Sequence, residues 1–238
     1  LYSSAASDVY KRQIIRGGTD INVFDSPLLL CRNSGLSFEQ RLFKRIFDIV
    51  VSVIGLIILS PFMLIIAAAI KIDDGGSIIY KQKRLTINGK EFFVYKFRSM
   101  IPNAEKNGVP QLATGSDSRI TRVGKFLRKC RLDELPQLFN IIKGDMSVVG
   151  PRPERPELTE KYEREMPEFK FRLKVKAGLT GYAQVTGVYD TTPYDKLKMD
   201  LMYIERYSMV MDLRIILMTI KTMISPGEMN SEADKEKY

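Results

Sequence analysis

The pattern of apolar and polar positions changes three times along the chain. From Ile49 to Ile70 it is unbroken: 22 residues, IVVSVIGLIILSPFMLIIAAAI, carry no charge. As a helix rising about 1.5 Å per residue this run spans roughly 33 Å, enough to cross a bilayer. Next, SIIYKQKR (77–84) and EFFVYKFRSM (91–100) are rich in strand formers and flank Asn88-Gly89, a pattern that predicts a β-hairpin. Helical periodicity then takes over. Ile120, Val123, Leu127 and Cys130 share one face of RITRVGKFLRKC, with Arg119, Arg122, Arg128 and Lys129 largely elsewhere. In DELPQLFNIIKGD, Leu135, Leu138, Phe139 and Ile142 repeat at helical spacing, with Asp133 as N-cap, Pro136 in the first turn and Gly144 as C-cap. Two further helices are expected over 194–207 and 211–224, the last able to pack on the domain or lie on a membrane surface.

Ser60 and Pro61 interrupt the long run at its centre. Pro61 has no N–H for the Ile57 carbonyl and its ring bends the helix, while Ser60 can satisfy part of the freed backbone. Basic residues flank both ends, Arg41, Lys44 and Arg45 before and Lys71, Lys81, Lys83 and Arg84 after, so the positive-inside rule finds no asymmetry. Both ends on one side, as a re-entrant helix-break-helix, satisfies these facts; an ordinary kinked spanning helix is the alternative. Ser37 is positioned to cap a helix that runs through Leu42, Phe43 and Ile46 into this segment.

The expected organisation follows. Residues 1–13 (LYSSAASDVYKRQ) resemble translated sequencing-adapter read-through and are set aside, which implies that a native start is missing. Residues 14–40 form a lead-in, 41–71 the membrane anchor, 72–226 the body of the protein and 227–238 a charged, disordered tail. DDGG (73–76) reads as a turn, although its paired aspartates are also candidate metal ligands. GLTGYAQVTG reads as an irregular glycine-rich passage and VVGPRPERP as a rigid loop presenting Arg152.

Composition narrows the chemistry. The 238 residues contain no histidine, which excludes Ser/His/Asp and Cys/His nucleophilic arrangements and His-ligated metal sites. Cys31 and Cys130 show no CxxC spacing, so neither a disulfide framework nor a cysteine metal site is indicated. The net charge is +9. Between Lys81 and Arg131 stand 13 basic residues against Glu91, Glu105 and Asp117, so the positive field is concentrated just before Asp133-Glu134. A solvated basic face and attraction to anionic lipid both account for such a run. A diphosphate delivered to a carboxylate is the sharper reading: Asp133, near arginines and a helix start, stays ionised as a nucleophile must, and a metal held by its neighbour offsets charge repulsion.

KRIFDIV, the Ser60-Pro61 break, KFRSM, FLRKCRLDELPQLFNIIKGDMSVVGPRP and GLTGYAQVTG, in this order, resemble the bacterial sugar transferases, the monotopic polyprenyl-phosphate sugar-1-phosphate transferases. The resemblance runs from about Arg41 to Pro226. It implies an α+β, mainly helical fold, with a re-entrant membrane helix hairpin and a compact cytosolic catalytic domain containing a β-hairpin. It also implies transfer of a sugar 1-phosphate from a UDP-sugar to undecaprenyl phosphate, with release of UMP and with magnesium, at the cytoplasmic face of a bacterial plasma membrane. Asp133 then matches the nucleophile and Glu134 the residue for magnesium or proton handling, the metal lying at both. Arg128, Pro151, Arg152 and Pro153 match nucleotide and phosphate contacts, with Lys96 and Arg98 the next candidates. Thr86 stands where many relatives have Gly, and GGS follows Asp74 where Pro-Gly-Pro is common. Membrane lipid is an expected partner, nucleic acid is not, and a homo-oligomer is compatible with the sequence. The alternative from another class is a non-catalytic, membrane-anchored basic scaffold binding anionic lipid or a glycan-assembly protein.

Overall fold

The computed structural model describes residues 36–101, 104, 117–187 and 191–224, with the backbone of an antiparallel pair, β1 (Thr19–Val23) and β2 (Ser26–Leu30), in the lead-in. The adapter-like segment, Cys31 and the charged tail lie outside the described residues.

α1 (Phe38–Asp74) is a single helix of 37 residues. It begins in a capping box: the Gln40 amide donates to Ser37 Oγ (3.3 Å) and the Ser37 amide to Gln40 Oε1 (2.9 Å). It ends at Gly75, whose φ of 69° is the left-handed conformation that a glycine cap adopts without steric penalty, so only Gly75 and Gly76 of DDGG turn, while Asp73 and Asp74 are the last residues of the helix. Helical structure continues through Pro61 rather than dividing into two helices. Ser60 Oγ donates to the Ile57 carbonyl (3.0 Å), the acceptor that Pro61 deprives of an amide.

One stripe of α1 is docked along its length. Lys44, Asp48, Ser52, Ile66 and Ile70 are buried, and Val51, Leu56, Leu59, Met63 and Ala67 pack between them on two core clusters. Their spacing keeps them on one side. The other side is apolar and bare: Ile57, Phe62, Leu64 and Ile65 are 60–72% exposed. A core helix of a water-soluble domain has no such face, since it would leave its largest side chains in water.

Both ends of α1 are tied to the same body. Arg45 donates to the carbonyls of Ile141 (2.6 Å) and Ile142 (2.7 Å), at the C-terminal end of α3 (Gln137–Lys143), where a cation complements the helix dipole. Asp48 Oδ1 accepts from Ser147 Oγ and the Val148 amide, both 3.0 Å, in β5 (Met146–Val149). At the other end Asp74 pairs with Arg98, and the Val123 amide reaches Asp73 (3.4 Å) from α2 (Arg122–Lys129).

The hairpin is present as predicted. β3 (Ile79–Leu85) pairs antiparallel with β4 (Glu91–Phe97), and Asn88 (φ 58°) and Gly89 (φ 71°) supply the two left-handed residues of its turn. Thr86 Oγ donates to the Asp145 carbonyl (2.7 Å), just before β5, and accepts from the Ala177 amide (3.2 Å), joining the hairpin to the start of β5 and to β6 (Ala177–Thr180). β5 and β6 form a short parallel pair, so GLTGYAQVTG is a strand followed by the helix α5 (Tyr182–Thr186). α4 (Pro156–Glu165) precedes that pair's second strand; α6 (Pro193–Glu205) and α7 (Met209–Ile224) close the chain.

α7 packs on the body along one side and is bare along the other. Ile215 and Asp212 are buried against the body, whereas Val210, Leu213, Leu217 and Ile220 are 49–70% exposed. Asp212 accepts from Lys44 Nζ (2.6 Å) and from the Tyr203 hydroxyl (2.8 Å), deeply buried, and so locks α7 to α1 across 168 residues. Asp212→Ala leaves Lys44 buried without its counter-charge, a loss of about 3–5 kcal/mol. Thermal unfolding in nanodiscs should show it, and Lys44→Met combined with Asp212→Leu should restore most of the stability.

Candidate active site

α2 is capped by Thr121, whose Oγ accepts from the Gly124 amide (2.9 Å), and ends at Cys130. Arg131 then adopts φ 54°, a left-handed conformation that a side chain tolerates at some cost, and the chain turns sharply into a 3₁₀ turn, Leu132–Glu134. Asp133 lies inside this turn. It does not cap α3, which begins at Gln137 after Pro136. The face of α3 also differs from its apolar periodicity: Phe139 is exposed, and Gln137, Leu138, Asn140 and Ile141 are buried. Asn140 explains the shift. Its side chain donates to the Phe93 carbonyl (2.7 Å) and accepts from the Tyr95 amide (3.0 Å), completing the free edge of β4 as a third strand would.

That edge fixes Lys96, the next residue of β4. Lys96 Nζ donates to Glu134 Oε1 (2.7 Å), and Arg152 Nη2 donates to the same oxygen (3.2 Å). Burial opposes ionisation of Glu134, but Arg152 and Lys96 outweigh it and hold the carboxyl down at about 2. Asp133 behaves oppositely. Burial is the largest influence and raises it above the ordinary aspartate value; Lys96 and Arg128 oppose this, while Glu134 adds to it. The dyad is thus split: apart from its own backbone amide, Asp133 has no hydrogen-bond partner among the described residues, whereas Glu134 is clamped by two cations. Burial therefore raises the Asp133 carboxyl despite the cations around it.

A family profile described as bacterial sugar transferase matches residues 39–226, which include α1, the dyad and the loop bearing Arg152. The chain belongs to the bacterial sugar transferase family. Among its relatives, a protein of Aeromonas hydrophila named UDP-N-acetylgalactosamine-undecaprenyl-phosphate N-acetylgalactosaminephosphotransferase is 42% identical over 185 residues, covering 76% of this chain and 44% of its own. A UDP-glucose:undecaprenyl-phosphate glucose-1-phosphate transferase of Klebsiella pneumoniae is 40% identical over 225 residues, 90% of this chain and 46% of its own. The exopolysaccharide production protein PSS of Rhizobium leguminosarum bv. phaseoli is 40% identical over 194 residues, 78% of this chain and 96% of its own. The chain thus spans less than half the length of the first two.

In this chain the expected site residues fall into two groups. Asp133, Glu134, Lys96 and Arg152 come together, and Arg128 is near enough to act on the charge of Asp133. Pro151 and Pro153 flank Arg152 in a loop whose carbonyls from Pro151 to Glu154 are each hydrogen-bonded. Arg98 stands apart from the dyad, paired with Asp74 at the end of α1. β4 ends at Phe97, so the alternation that would place Arg98 beside Lys96 has already stopped. Ser60 and Pro61 lie within α1, and the Ser60 hydroxyl is bonded within that helix. Sequence reasoning missed Asn140, Arg172 and Asp200; each lies in an unremarkable helical stretch, and nothing local distinguishes them.

Proposed function

We propose that this chain transfers a sugar 1-phosphate from a UDP-sugar to undecaprenyl phosphate through a phosphosugar ester on Asp133, as an early membrane step in exopolysaccharide, capsule or related glycan synthesis. The observation that carries the reading is the asymmetry of the dyad, with Glu134 held by Lys96 and Arg152, and Asp133, beside Lys96 and Arg128, bonded among the described residues to nothing but its own backbone amide. In the first half-reaction a carboxylate oxygen of Asp133 attacks the sugar-bearing phosphorus. The bond from that phosphorus to the bridging oxygen breaks, and UMP leaves with that oxygen and its electron pair. In the second, a phosphate oxygen of undecaprenyl phosphate attacks the same phosphorus, the bond to Asp133 breaks, and the carboxylate is restored. Neither nucleophile has to lose a proton at the moment of attack, which suits a chain without histidine.

Lys96, Arg128 and Arg152 supply charge where the diphosphate arrives, and a diphosphate can draw Lys96 and Arg152 from Glu134. The residues fit magnesium in its usual setting, in which one or two carboxylates are completed by substrate phosphates. Asp133 and Glu134 Oε2 are available as oxygen donors, and among the described residues no three acidic or cysteine side chains form a closed cage. Bound there, magnesium supplies charge neutralisation at the phosphates.

The re-entrant, single-face placement is supported by the docking of α1. A helix whose first turns bond to α3 and β5, and whose last residues bond to Arg98 and Val123, keeps both ends with one body. Its bare apolar side and the exposed side chains of α7 then meet lipid, with the catalytic face toward the cytoplasm, where nucleotide sugars are made. The deciding experiment offers purified protein in nanodiscs undecaprenyl phosphate and a panel of UDP-linked glucose, galactose and N-acetylhexosamines. One sugar should yield UMP together with a lipid-linked diphosphosugar, and UMP release with none would overturn the proposal.

A further inference from the structure

The loop that carries Arg152 is held by its backbone, one carbonyl at a time. The Pro151 carbonyl accepts from the Gly178 amide (2.9 Å), that of Arg152 from Arg172 Nη2 (3.1 Å), that of Pro153 from Arg84 Nη1 (3.0 Å) and that of Glu154 from the Leu85 amide (3.0 Å). Pro151 and Pro153 have no amide proton and nearly fixed φ, so four consecutive acceptors determine the course of the loop. The bond to Arg152 itself comes from a side chain that is immobilised on three sides. Arg172 Nε donates to Asp200 (2.7 Å) in α6, its guanidinium lies 4.6 Å from the Phe169 ring centroid, and its third contact is the Arg152 carbonyl. Arg172 and Asp200 are 6% and 2% exposed as side chains, and neither reaches the dyad.

We infer that Arg172, braced by Asp200, is a positioning residue for Arg152, with Arg84 doing the same through the neighbouring carbonyl of Pro153. This inference rests on the function proposed above, and it assigns the pair a task in that reaction: holding Arg152 ready for the nucleoside diphosphate before it binds. A preformed loop spares the substrate the entropy of ordering it, so the effect falls on recognition of the nucleotide sugar. It does not extend to the second half-reaction, which begins after UMP has left.

Arg172→Lys separates these roles, because a lysine can keep the ion pair with Asp200 but lacks the planar fork that reaches the carbonyl as well. The two half-reactions are measured separately in nanodiscs: UMP release against UDP-sugar concentration, and single-turnover transfer from preformed phosphosugar enzyme to undecaprenyl phosphate. The expected result is a KM for the UDP-sugar raised about tenfold, the scale of one lost charge-assisted hydrogen bond, with unchanged UMP release at saturation and an unchanged second half-reaction. Arg84→Lys should show the same signature. Equal slowing of both half-reactions, or no change in either, overturns the positioning role. A wild-type protein that releases no UMP with any UDP-sugar overturns the functional reading and this inference with it.

Discussion

Asp133→Asn should abolish covalent capture of the sugar phosphate and at the same time raise the melting temperature at neutral pH. The first effect follows from the chemistry: an amide offers no anionic oxygen to phosphorus, so protein incubated with UDP-sugar labelled in the sugar-bearing phosphate should retain no label, against stoichiometric labelling of the wild type. The second follows from linkage. The folded protein raises the Asp133 carboxyl above its ordinary value of 3.8, chiefly by burial, so between those two values the native state binds more protons than the unfolded chain. Stability contributed by this group is complete below the unfolded value and is lost as pH rises through the folded one. At neutral pH the ionised Asp133 is therefore a destabilising group kept for its reactivity, and the isosteric amide removes that cost. The same shift places the acid limb of UMP release above the ordinary aspartate value. Normal labelling of Asp133→Asn would dismiss it as the nucleophile, and an unchanged melting temperature would show that its burial is not felt as a charge penalty.

What could be read from the sequence was local. The β3–β4 hairpin is written in adjacent strand formers and Asn88-Gly89, and both turn residues take the positive φ this pattern implies. Leu127 is buried on the face its periodicity marks, and Ser37 caps the helix it precedes. Long-range pairing was not legible. β5 is four buried residues, MSVV, with no alternation to reveal a strand, and its partner begins at Ala177. The Lys44–Asp212 and Arg172–Asp200 pairs join residues that no spacing rule connects. Asp133 and Glu134 were visible as a pair, but their division was not, because it depends on which carboxylate the Asn140-braced strand and the Arg152 loop converge upon. The motif names the residues; the tertiary structure decides which one is held and which is left free.

Glu134→Gln is the complementary test, and its sign in stability is opposite. Glu134 falls from 4.5 to about 2 in the folded protein, because Arg152 and Lys96 overcome the burial that resists its ionisation. A lowered carboxyl contributes stability that is present above its unfolded value and is lost as pH falls through the folded one. That contribution is on the order of 3 kcal/mol at neutral pH. The glutamine variant should therefore melt below the wild type at pH 7, and the gap should close as pH falls from 4.5 toward 2. Activity should separate in a way stability does not. With Glu134 neutral, Lys96 and Arg152 are no longer held by a protein carboxylate and meet the diphosphate without competition, so KM for the UDP-sugar stays level or falls. kcat should drop by roughly 10²–10³-fold, the scale on which a preorganised electrostatic group acts. Lys96, already lowered by burial and partly restored by Glu134, should lose a proton more readily, moving the alkaline limb of activity to lower pH. A variant with wild-type kcat would remove Glu134 from the reaction and leave it as a structural anchor for the Arg152 loop.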